Sequence, residues 1–100
     1  MPEMTFSVRW PDGRVEPCYS PSLVVHDHLE VGARYPVEDF VRRSSDALSA
    51  ASERVRARYG FACSASDASR ERIEAAASAF APDAFVEVVA MHPPLPGGPA

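Results

Sequence analysis

MTFSVRWPDGRVEPCYS, residues 4–20, alternates apolar and polar side chains up to a proline, an aspartate and a glycine, then resumes as a second extended run. Phe6, Val8 and Trp10 fall on one face and Thr5, Ser7 and Arg9 on the other, the period of two that marks a half-buried strand. Pro11-Asp12-Gly13 supplies the turn, with glycine where a positive φ is commonly needed, and Val15 to Tyr19 returns as the second strand of a β-hairpin. Pro17 has no N–H for a ladder bond, which places the returning strand at the sheet edge or at a bulge. An unpaired edge is also where a partner chain can add.

Beyond the hairpin, Ser20 reads as a helix cap with Pro21 at the first helical position, which predicts a short helix over residues 22–30. Val31 to Tyr35 is a connector turning at Gly32. Pro36 then opens the strongest helical pattern in the chain, with Val37, Phe40, Val41, Ala47, Leu48, Ala51, Val55 and Tyr59 along one stripe. Glu38 with Arg42 and Asp39 with Arg43 have ion-pair spacing, and Gly60 stands in the usual left-handed cap position. Ser66 predicts the cap of a further helix reaching about Phe80, with Ile73, Ala76, Ala77 and Phe80 facing inward. Ala84 to Met91 reads as a last strand, with Val86, Val88 and Ala90 on one face. HPPLPGGPA, residues 92–100, is expected to be a disordered tail.

This order predicts a single α+β domain over residues 1–91. A three-stranded sheet, the N-terminal β-hairpin plus the C-terminal strand, would carry two main helices and one short helix on one face. The last strand is expected beside the first, because the second carries Pro17; its direction stays open.

Composition narrows the function classes. The 100 residues are 46% hydrophobic and 24% charged, a soluble profile, and no apolar run approaches the roughly 18 residues of a membrane helix. The N-terminus lacks the basic and apolar regions of a secretory signal, so a cytoplasmic protein is expected. All ten basic residues are arginine, which excludes Schiff-base and phosphate-loop lysine chemistry. A net charge of −4 argues against a nucleic-acid partner.

Few side chains offer chemistry. No glycine-rich phosphate loop, HExxH or GxSxG occurs, and no cofactor is expected. His26 and His28 are two apart, so on a helix they diverge and cannot readily share an ion; no metal site is expected. Cys18 and Cys63 each precede a predicted helix, where the dipole lowers a thiol pKa, yet both have the apolar neighbours of a core cysteine. Pro2 would become an N-terminal secondary amine, the base of tautomerases, but the hairpin replaces the crossover helix those enzymes have. PPLP near the end has the form of a polyproline ligand, for which a frayed tail is the plainer explanation. Trp10 is the sole tryptophan, at the hairpin tip beside Arg9, where it suits either a core edge or an interface anchor.

The stretches PEMTFSVRWPDG, CYSPSLV, YPVEDFVRRSSDALSAASERVRARYGFACS and RIEAAASAFAP together resemble a small bacterial nitrogen-starvation-response family encoded in a gene cluster with a nitrilase. The resemblance runs from about Pro2 to Val89 and excludes the proline-rich tail. It implies a shared pathway of nitrile or related nitrogen metabolism, since that cluster also holds a radical-SAM-type protein, an acetyltransferase-like protein and a flavin-dependent oxidoreductase. No activity or residue role transfers with it. The contexts of Cys18 and Cys63 match the family pattern, whereas His26-Asp27-His28 does not look like a required part.

The expectation is therefore a non-catalytic accessory or adaptor protein that binds an enzyme of the nitrilase-associated cluster or a small metabolite. Trp10, Cys18 and Tyr19 are its docking candidates, expected exposed or half-exposed. The alternative is a small cysteine-dependent enzyme or thiol carrier acting through Cys18 and Cys63. Self-association is compatible with either.

Overall fold

The computed structural model describes residues 3–60 and 64–93. In chain order they form β1 (Met4–Arg9), β2 (Val15–Ser20), a short 3₁₀ helix (Leu23–Asp27), β3 (Arg34–Pro36), α1 (Val37–Tyr59), α2 (Ser64–Ala77) and β4 (Phe85–His92). The sheet has four strands in the order β2-β1-β4-β3, antiparallel throughout. Its last long strand lies beside the first, as expected, and runs antiparallel to it.

The hairpin turns as the sequence predicts. Gly13 has φ +91°, its N–H donates to Trp10 O at 2.8 Å, and Trp10 N–H donates across to Arg14 O at 2.8 Å. Hydrogen-bonded and non-hydrogen-bonded pairs alternate from that bond, so Pro17, opposite Ser7, occupies a non-hydrogen-bonded position. An N–H there would point away from β1. Pro17 therefore costs the ladder nothing and removes a donor from the middle of the free edge, which opposes strand addition.

One face of the sheet is dry. Met4, Phe6 and Val8 from the first strand with Trp10 just past its end, Cys18 and Ser20 from the second, and Val86, Val88 and Met91 from the fourth are buried beneath the helices. The alternation in β4 slips once: Ser7 pairs with Ala90 but Val8 with Val88, leaving Val89 as an extra residue. The bulge turns Met91 inward where strict alternation predicts Ala90.

Three further expectations are corrected. The sheet gains β3, read from sequence as connector. Three residues are too few to show a period, and β3 is held by pairing with β4, extended by Gly32 N–H to Val88 O at 2.7 Å and Val88 N–H to Ala33 O at 3.0 Å. The short helix is 3₁₀ and begins later: Ser22, not Ser20, caps it, its hydroxyl accepting from Val24 N–H at 3.3 Å. Ser20 instead is buried and braces the turn by donating to Ser22 O at 2.8 Å. Ser66 lies inside the second helix rather than at its cap, and its buried hydroxyl donates to Leu48 O at 2.7 Å, tying α2 to α1.

The long helix matches its pattern as far as Val55; Tyr59, expected on the same stripe, is 51% exposed in the last turn, beyond the reach of the sheet. Gly60 closes α1 at φ +82°, and its N–H donates to Arg56 O at 2.7 Å. Pro36 offers no side-chain cap; the first helical donors go to the segment before β4, Val37 N–H to Ala84 O at 2.7 Å and Glu38 N–H to Pro82 O at 3.1 Å. His92 ends β4, so the sheet reaches one residue into the expected tail; residues 94–100 lie outside the described residues.

Candidate functional site

With both helices on one face, the other face of the sheet carries Thr5, Ser7, Arg9, Val15, Pro17, Tyr19, Phe85 and Glu87. Beside the free edge of β2, where α2 packs on that strand, a cavity of about 240 Å³ opens. Pro17, Cys18 and Tyr19 form its strand wall and Ser69, Arg72 and Ile73 its helix wall, with Thr5 of β1 alongside. The helix wall follows from spacing: residues i, i+3 and i+4 share one face of a helix. Ile73 is buried as the floor, Ser69 half-buried above it, and Arg72 exposed at the rim.

Two other depressions each hold an ion pair, and in one of them Arg34, like Arg72 of the seam, has no carboxylate within ion-pairing distance among the described residues. At Glu38, Asp39 and Arg42, Asp39 already pairs with Arg42; at Arg9, Arg34, Phe85 and Glu87, Arg9 already pairs with Glu87 at 3.1 Å.

Two of the expected docking residues, Cys18 and Tyr19, meet here. Tyr19 is half-buried, and its hydroxyl lies 3.1 Å from Glu3 Oε2. Cys18, expected exposed or half-exposed, is instead buried at 6% exposure within β2, because its side chain points to the helix-covered face of the sheet. Burial first, then the negative charge of Glu16, push the thiol from 9.0 up to about 12, with Arg72 opposing. It is neutral at physiological pH and works as apolar lining.

Trp10 is not at this surface. It is 1% exposed, its ring edge-to-face with Phe40 at 5.6 Å and stacked on Phe80 at 5.8 Å, and its Nε1–H donates to Glu16 Oε1 at 2.9 Å. The expected exposure is thus corrected: the ring closes the core edge, held by aromatic residues remote in sequence. Cys63, the other thiol candidate, falls outside the described residues.

The histidines stay apart from ligands. His26 Nε2 lies 3.0 Å from Pro93 O, and among the described residues no three His, Cys, Asp or Glu side chains gather as an ion would require. No helix among them is long and apolar enough to cross a membrane. Sequence reasoning missed Thr5, Ser69, Arg72 and Ile73. The i, i+3, i+4 signal for the last three was present, but nothing local tells that this helical face meets β2.

Fold and site define a small two-layer α+β protein with an open sheet face and a shallow side-chain-lined groove. A family model described as nitrogen starvation-induced protein NitG matches residues 5–91, and the chain belongs to that family. No curated protein and no solved structure matches it.

Proposed function

We propose that this member of the NitG family is a non-catalytic accessory protein of the nitrogen-starvation response, acting in the cytoplasm by binding a partner enzyme or a small metabolite at the seam between β2 and α2. The observation that carries the proposal is the seam itself: a groove with an apolar floor and an unpaired guanidinium, whose thiol is a neutral, buried one. A groove so built offers recognition and supplies no activated nucleophile. Pro17 supports docking by side chains over strand addition. The resemblance of WPDG, CYSPS and RVRARYGFAC to a family encoded with a nitrilase supports seeking the partner enzyme in that cluster.

Capture from nitrogen-starved cells tests this. Tagged protein is expected to bring down an enzyme of that cluster, or a bound small molecule seen by mass spectrometry of the eluate, without itself turning the molecule over. Turnover of that molecule by the purified chain, lost on alanine substitution of Cys18 or Cys63, would replace the accessory role with the thiol-enzyme one.

A further inference from the structure

The chemistry of the groove wall restricts what it can hold, and this step rests on the reading of the seam as the working surface. Its volume of about 240 Å³ has room for a short organic acid. Arg72 presents a planar fork of donors with no carboxylate partner among the described residues. The Ser69 hydroxyl lies one helical turn before it on the same face, a second donor beside the first. Below them, Cys18 and Ile73 are buried apolar surface, and Pro17 closes the strand side. A single guanidinium balances a single negative charge. A phosphate dianion would find no second cation among the groove's lining residues.

We propose that the seam binds a carboxylate on a short apolar stem. Arg72 takes the carboxylate in a two-pronged hydrogen bond, Ser69 donates a third, and the stem lies on Pro17, Cys18 and Ile73. The carboxylate belongs either to a free small acid or to an acidic side chain of a partner protein, and the two present the same end group to Arg72.

An NMR titration of the ¹⁵N-labelled full chain separates the outcomes. Sodium butyrate is the free-acid probe, butyramide its neutral isostere, and N-acetyl-glutamate methylamide the side-chain probe with both termini blocked. Saturable shifts are expected at residues 18–19 and 69–73 with butyrate or the blocked glutamate, and none with butyramide. Whichever acid binds more tightly names the source. Arg72→Gln should weaken binding at least about tenfold, and Arg72→Lys, a charge without the fork, less. Because Arg72 is exposed, both variants should melt with the parent. The carboxylate proposal is overturned if neither acid gives saturable shifts, or if Arg72→Gln binds as tightly as the parent. Loss of partner capture on filling the groove, with neither acid binding, would leave the docking role standing and remove this one. Acid binding with capture untouched by filling would do the reverse.

Discussion

Trp10 shows how one residue type serves two ends. A tryptophan beside an arginine at a hairpin tip has the composition of an interface anchor, yet this one is clamped between Phe40 of α1 and Phe80, just beyond α2. Those partners are separated from it by 30 and 70 residues, so local pattern could show only that Trp10 shares the apolar face of β1. Trp10→Ala should destabilise by about 3–5 kcal/mol, a large share of the stability of a domain this size, and Trp10→Phe by clearly less. Denaturant unfolding checks both. Cys18 carries the second residue-scale prediction. A folded-state pKa raised to about 12 means the fold favours the protonated thiol, so this contribution is full below the unfolded-state pKa near 9.0 and fades as pH rises from there toward 12. Stability should fall across that alkaline window in the parent and fall less in Cys18→Ala, which itself costs about 1 kcal/mol or more as a cavity. Thiol labelling of Cys18 in the folded protein at pH 7 should be slow. Rapid labelling there would mean an accessible thiolate.

Among the elements, those with long periods were legible and those made by pairing were not. The long helix announces itself by its apolar stripe, by Pro36 before it and by Gly60 after it, all strong local signals. β3 and the bulge at Val89 exist only because β4 lies alongside other strands, and three residues or one inserted residue leave no period to read. The ion pairs of α1 were half legible. Asp39 binds Arg43, at 2.8 Å, as its spacing predicts, but it also takes Arg42, which sequence spacing pairs with Glu38. Hydrogen bonding from Arg43 first, and from Arg42, holds the Asp39 carboxyl below its ordinary value. A depressed folded pKa contributes stability above the unfolded-state value, lost as pH falls through the folded one. Asp39 is half-buried on the helix surface, where solvent still screens its charge, so the effect is small. Asp39→Asn should flatten the fall of melting temperature below pH 4 slightly while leaving its alkaline side unchanged, as thermal melts across pH will show.

At the scale of the whole molecule, the hairpin and the element order were enough to place β4 beside β1 and the helices on one face. The seam was not, because it arises where a helix face and a strand edge meet across about fifty residues of sequence, Cys18 to Ser69. Cys18 and Tyr19 of its strand wall stand out in the sequence by residue type; Ser69, Arg72 and Ile73 of its helix wall do not. The central claim is that this groove, and not the thiol within it, is what the protein works with. Isothermal titration of the captured partner or metabolite against two variants tests it directly. Cys18→Ala removes the thiol and keeps the groove; Ser69→Trp keeps the thiol and fills the groove, and circular dichroism must show both folded. Affinity within about twofold of the parent for Cys18→Ala, with at least about a tenfold loss for Ser69→Trp, is the predicted result. Full affinity in a folded Ser69→Trp variant, with binding lost in Cys18→Ala, would contradict it.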